Sequence, residues 1–267
     1  MMSKEKEIND TLEIINGKGI SFQDLMRYQI SKDIERFEEL TAWSKKDYEE
    51  YSILLKKAQD ISKNNKSGDI QKEVGDILEL LVKFVIEKTY FFETIENVRT
   101  KTNEIDLYIS LSKEGIQALE TYNLSRDLLV IPEKEFIAEC KNYNTNIGST
   151  WYGKFYAVMK TCDFNFGILF SLKRATGNFD KWSDSYGLIR TLTLVEKYAN
   201  NKQFHLIDFG LSDFEAINPN NSFFDIIKNK MTALRLGVNY DNFIKKITND
   251  LDEEKKEKLE KIKILKS

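Results

Sequence analysis

Glu139 and Lys141 stand two residues apart in the run Glu135-Phe136-Ile137-Ala138-Glu139-Cys140-Lys141. An apolar lead-in of this kind reads as a central strand, and residues two apart on a strand project from one face. The pair therefore sets a carboxylate beside an ammonium. Asp106 interrupts a second apolar run, Ile105-Asp106-Leu107-Tyr108-Ile109, where a carboxylate is costly unless it is paired or bound to a cation. Glu79 likewise falls inside Ile77-Leu78-Glu79-Leu80-Leu81-Val82. Two strand carboxylates and a lysine can hold a divalent metal and a water beside a phosphate. That is the minimum apparatus for hydrolysing a phosphodiester bond.

Each residue type has a job in that chemistry. Mg²⁺ takes oxygen ligands and keeps several waters. Asp106 and Glu139 would supply two carboxylates, and the backbone carbonyl of Cys140 a neutral oxygen. The ion would polarise a phosphoryl oxygen and acidify a coordinated water; Mn²⁺ is expected to substitute. Lys141 would position that water and stabilise charge on the pentacovalent phosphate. Glu79 would bind an outer water or a second metal. Plainer readings compete. Asp76, Glu79, Lys83 and Glu87 form a charged helix stripe with a favourable Glu79–Lys83 pair. Asp106 also suits a turn, and Glu139 with Lys141 an exposed edge strand. The apolar neighbours of Asp106 and the Phe-Ile-Ala run before Glu139 favour the site.

These residues need a scaffold, and the pattern supplies one. The first 65 or so residues read as helical, with Ser21-x-x-Asp24 and Ser44-x-x-Asp47 as capping boxes opening two apolar-periodic segments and Trp43 at their joint. A polar stretch from Ser62 to Gly68 reads as a linker. Val74 to Tyr90 is a strongly apolar helix. Strand-like runs follow at 91–95, 105–109, 136–141, 166–170 and 204–209, with helices over 113–122, 150–161, 188–198 and 222–236. Helices alternating with strands predict an α/β fold, a mixed sheet covered on both faces. The expected organisation is an N-terminal helical module (1–66), an α/β core (67–237) and a charged helical C-terminal tail (238–267), Lys- and Glu-rich over 252–266.

Composition narrows the chemistry further. Hydrophobic residues make up 41% of the chain, enough for a buried core and against global disorder. Two cysteines and one histidine exclude a four-ligand structural zinc site and nuclease chemistries built on several histidines. His205, in Phe204-His205-Leu206-Ile207, reads as a structural core residue. A formal charge of −3 gives no bulk attraction to a polyanion, so nucleic-acid contact must come from local clusters or bound cations. With few cysteines, no apolar leader after Met1 and no apolar run of bilayer length, a soluble cytoplasmic protein without membrane contact is expected.

The ordered set Gly75-Asp76-Ile77-Leu78-Glu79, Asn103-Glu104-Ile105-Asp106, Glu139-Cys140-Lys141, Trp151-Tyr152-Gly153-Lys154-Phe155 and Gly167-Ile168-Leu169-Phe170-Ser171 resembles the PD-(D/E)xK nuclease superfamily, in its Mrr-like branch. The resemblance spans roughly residues 75–236. It implies a restriction-endonuclease-like core, Asp106 and Glu139 as metal ligands, Lys141 as the catalytic lysine and Glu79 as an accessory helix carboxylate. It also places Lys154 where a basic residue faces the scissile phosphate. Ile105 stands where the family usually has proline, and a helix over 113–124 lengthens the connection between Asp106 and Glu139. Lys173 and Arg174, just past a strand end, are candidate phosphate contacts; Trp151, Tyr152, Phe155 and Tyr156 read as helix core rather than a base-stacking platform.

The implied function is Mg²⁺-dependent hydrolysis of DNA in restriction or anti-phage defence. A homodimer would supply the second site that a double-strand break needs, and a partner protein from a multi-gene defence system fits the same picture. The rival expectations are a nuclease fold that binds or senses nucleic acid without cutting it, and a helical assembly subunit working through residues 1–65 and the tail.

Overall fold

The computed structural model describes residues 21–64, 68–99, 104–143 and 145–246. The C-terminal stretch 252–266, Asn103 and the centre of the expected linker lie outside the described residues. Eight helices are named here: α1 (Phe22–Thr41), α2 (Lys45–Asn64), α3 (Gly68–Glu87), α4 (Lys113–Thr121), α5 (Ser149–Thr161), α6 (Asp184–Tyr198), α7 (Leu211–Ala216) and α8 (Phe223–Leu236). The strands are β1 (Phe92–Arg99), β2 (Glu104–Leu111), β3 (Glu135–Lys141), β4 (Phe166–Ser171) and β5 (His205–Phe209). Residues 240–246 are also helical.

The five strands form one mixed sheet in the order β1-β2-β3-β4-β5. β1, β2 and β3 pair antiparallel, whereas β3, β4 and β5 run parallel. The parallel pairs require crossovers, and α5 and α6 provide them. Alternation of side chains splits the core in two. One face gathers Leu107, Phe136, Ala138, Ile168 and Phe209 with apolar residues of α3 and α8. The other gathers Ile137, Leu169 and Leu206 with Tyr152, Phe155 and Met159 of α5 and Ile189 of α6. At Gly167 the α5 side of the sheet is crowded: a Cβ there would stand 2.8 Å from the Met159 sulfur and 3.0 Å from the Phe155 ring. The missing side chain lets α5 lie close on β4.

The helical hairpin begins where the two capping boxes place it. Asp24 N–H donates to Ser21 Oγ at 3.1 Å and Asp47 N–H to Ser44 Oγ at 3.2 Å, each Asp carboxylate returning the bond to the serine N–H. A third Ser-x-x-Asp, Ser222 to Asp225, caps α8 in the same way. The hairpin shares the core of the sheet. Trp43 stacks edge-on with Tyr51 and Phe84 and donates its indole N–H to the Lys88 carbonyl at 3.0 Å. Tyr51, 4% exposed, donates its hydroxyl to the Phe214 carbonyl at 2.7 Å.

The connection between β2 and β3 does not separate them. Leu111 N–H donates to the Lys134 carbonyl, which closes the excursion through α4 at its base. Ser112 N–H donates to the Phe91 carbonyl and Ser112 Oγ caps Gly115, pinning α4 back against the start of β1. Differences from the sequence expectation are local. β1 runs to Arg99 because its second half, Glu96-Asn97-Val98-Arg99, is an edge segment held by backbone pairing rather than by an apolar run. The 3₁₀ turn Arg126–Leu129 and the short α7 were not anticipated; both are too brief to show a helical period.

His205 is 3% exposed beside the Phe166 ring, and its Nδ1 has no partner among the described residues. Burial pushes its pKa down from 6.5 to about 4. The unfolded chain takes up this proton near the ordinary value and the folded chain only near the lower one. Stability is therefore retained above pH 6.5 and lost as pH falls towards 4. Urea unfolding should show about 2 kcal/mol of His205-dependent loss between about pH 7 and about pH 5, a loss absent from His205→Gln. For Tyr51→Phe, the same measurement should give a cost of about 1–3 kcal/mol from the orphaned Phe214 carbonyl.

Candidate active site

The paired register of β2 and β3 runs from Ser110–Glu135 to Leu107–Ala138. Beyond it the strands part, and the carboxylate of Asp106 fills the opening. Asp106 Oδ2 accepts from Cys140 N–H at 2.8 Å, a side chain standing in for a backbone acceptor. On its other flank Asp106 faces Asn97, the one β1 residue skipped in the β1–β2 ladder, which adopts a left-handed conformation at φ 53°. Asparagine tolerates that region better than most residues.

Continuing the register places Asp106 opposite Glu139, and the distances agree. Lys141 Nζ lies 2.5 Å from Glu139 Oε1 and 3.5 Å from Asp106 Oδ2. The three side chains are only 17–19% exposed. The intervening Cys140 turns the other way, its thiol buried in the opposite core. Its N–H and carbonyl face the same edge of the strand, so the carbonyl is directed to the side where Asp106 sits.

Burial and the Asp106 charge push the Glu139 pKa up, with Lys141 opposing. Burial pulls Lys141 down, but Glu139 and Asp106 beside it outweigh that and leave it above the usual value. Lys141 is thus a fixed cation that donates to two carboxylates. It is built to orient groups and stabilise negative charge, not to accept a proton at neutral pH.

Glu79 approaches from α3, which packs on β1 and β3 from the other face of the sheet. Burial first, then the charges of Asp106, Asp76 and Glu96, lift its pKa to about 7. Asp106 and Lys141 are therefore within electrostatic range of Glu79. The stripe pairing expected with Lys83 does not form; Lys83 pairs instead with Glu96 of β1 at 2.7 Å. Lys154 is exposed on α5, and its connection to the site runs through Trp151. The Trp151 ring has Lys141 Nζ 5.1 Å and Lys154 Nζ 4.7 Å from its centroid. The half-exposed Tyr143 ring lies 5.5 Å away at 31°. Trp151 packs partly on the core, as its neighbours Tyr152 and Phe155 do fully, but it also walls the site.

Lys173 and Arg174 follow β4 and are not drawn to this cluster. Arg174 pairs with Asp241 at 2.5 Å and Ser212 at 2.8 Å, on the rim of a separate cavity. The sequence reading passed over Asp208, which interrupts the apolar run of β5 as Asp106 interrupts that of β2.

The donor set suits Mg²⁺ or Mn²⁺. Among the described residues no group of three or more His, Cys, Asp or Glu is close enough to share an ion. One or two carboxylates with several waters are what Mg²⁺ requires. Asp106 and Glu139 against the single charge of Lys141 leave a negative surplus at a half-enclosed strand end. Among the described residues, no helix is long and apolar enough to cross a membrane.

In the metal-free protein, carboxyl NMR should find Glu79 titrating near neutrality, about 7. Asp106→Asn, by removing a like charge, should move that titration to lower pH; an unmoved Glu79 would place it outside the cluster. No family model, curated protein or solved structure matches this chain.

Proposed function

We propose that the protein is a metal-dependent nuclease with a restriction-endonuclease-like core, hydrolysing phosphodiester bonds in DNA. The observation that carries this reading is the meeting of Asp106, Glu139 and a permanently charged Lys141 at the parted end of two adjacent strands. An ion pair with a merely structural purpose needs one carboxylate; here one ammonium serves two, and a third carboxylate, Glu79, is within electrostatic range.

Asp106 and Glu139 would hold Mg²⁺, with the Cys140 carbonyl as a further oxygen donor and Glu79 reaching the ion through an outer water; the ion would supply Lewis acidity and an acidified water. The protein's own residues do the rest. Lys141 donates hydrogen bonds to the attacking water and to a non-bridging phosphate oxygen, so the charge that develops is met by a fixed cation in a poorly solvated place. The two carboxylates that now hold Lys141 orient its ammonium before substrate arrives. Trp151 holds both Lys141 and Lys154 against its ring, and the exposed Lys154 would contact a neighbouring phosphate. Lys173 and Arg174 would act farther along the strand. A homodimer would bring a second site to the opposite strand, and a role in restriction or anti-phage defence, with partner proteins, follows from the resemblance.

Asp106→Ala and Lys141→Ala should each lower plasmid cleavage in Mg²⁺ by at least about 100-fold with far-UV circular dichroism unchanged. Wild-type-like cutting by either variant would remove the assignment. Lys154→Ala should raise KM more than it lowers kcat, since it addresses a phosphate outside the reacting group.

A further inference from the structure

Asp208 ends β5 on the α5 and α6 side of the sheet, in register with Leu169 and, through it, with Glu139. Two strand spacings, about 10 Å, separate it from the active-site carboxylate. It is enclosed by protein yet keeps part of its surface open to a cavity of about 290 Å³. The cavity lies at the carboxyl ends of β4 and β5, where parallel sheets take ligands. Nothing in the nuclease chemistry uses it.

Its lining specifies a ligand. The Asp208 carboxyl accepts from the Tyr152 hydroxyl, from the Tyr186 hydroxyl at 3.4 Å and from the main chain of Ala175. A carboxylate offers about four acceptor sites, so capacity for one more donor remains on a residue that lines the cavity. Burial holds the Asp208 pKa up, with the charge of Lys230 and the Tyr152 hydroxyl opposing. Phe179, Tyr186 and Tyr240 contribute aromatic surface, with Phe179 edge-on to Tyr186 and Lys230 over the Tyr240 ring, and Ile189 and Leu206 add apolar surface beside the acid. The charged groups of the lining satisfy one another: Lys230 pairs with Asp213 at 2.8 Å, both side chains largely buried, and Arg174 with Asp241. A phosphate would have to break those pairs. A neutral, flat, N–H-bearing ring would not, and the volume, at the lower end of small-molecule pockets, fits one such ring system.

We infer that this cavity is a second ligand site that takes a single nucleobase, its ring against the aromatic and apolar lining and an N–H on Asp208. The choice of nucleobase over other N–H heterocycles rests on the phosphodiesterase reading, because a nucleic acid held at Lys141 brings bases within reach. The loop from Lys141 to α5 serves both places, with Tyr143 beside Trp151 and Asn146 on the cavity wall. The base would come either from the bound strand or from a free nucleoside.

The test titrates the full chain separately with adenosine, guanosine, cytidine and thymidine by saturation-transfer NMR and calorimetry. At least one should bind once per chain with a Kd of about 1 mM or tighter. Asp208→Asn, which replaces one of the two acceptor oxygens with a donor and removes the charge, should weaken that binding at least about tenfold. Val238→Trp, at a lining position 37% exposed, should block it while leaving Asp208 untouched. No saturable binding by any of the four, or binding unchanged in both variants, would overturn the inference. A labelled duplex bound by Lys141→Ala protein then separates the sources. Competition by the nucleoside, with weaker duplex binding when Val238→Trp is added, identifies a base of the strand; independent binding identifies a free nucleoside. Failure of the nuclease reading would instead show as absent cleavage with nucleoside binding intact.

Discussion

One hydrogen bond organises the candidate site: Cys140 N–H to the carboxylate of Asp106. Where the β2–β3 ladder ends, backbone groups need partners, and an unpaired buried N–H costs about as much as a lost hydrogen bond. Asp106 supplies the acceptor, and in doing so it is fixed beside Glu139 and Lys141. The carboxylate is therefore structural and available for chemistry at once. The pairing below it depends in turn on the Leu111–Lys134 bond that closes the α4 excursion.

Electrostatics follows from this packing. Two carboxylates and one ammonium are collected at a largely buried strand end, with Glu79 sensing their charge from α3, and the charges are not balanced. Burial first, and then the charge of Asp106, raise the pKa values of Glu79 and Glu139, while the two carboxylates beside Lys141 raise its own against burial. Such an arrangement is poor design for stability alone, since a buried pair repays desolvation only when fully matched.

Much of this was legible in the sequence. The five strand centres announced themselves as apolar runs, the capping boxes marked the first two helices, and the spacing of Glu139 and Lys141 put them on one face. Asp106 was legible because a charge inside an apolar run is conspicuous. The same signal stood at Asp208 and was hidden by the histidine three residues before it. The cavity was not legible, since its walls come from separate stretches around residues 174–179, 186–189, 206–213 and 230–241. No local pattern reports such a meeting. The role of Trp151 was half visible: helical spacing marked it as core, but only the packing of α5 sets it against Lys141.

That packing has a mechanical consequence. Trp151 and Tyr152 are successive residues in the first turn of α5, about 100° apart around the helix. One holds its ring against Lys141 and the other its hydroxyl on Asp208. Gly167 lets the same helix seat closely on β4 farther along, through Phe155 and Met159. A displacement of the first turn of α5 would therefore disturb both polar centres together.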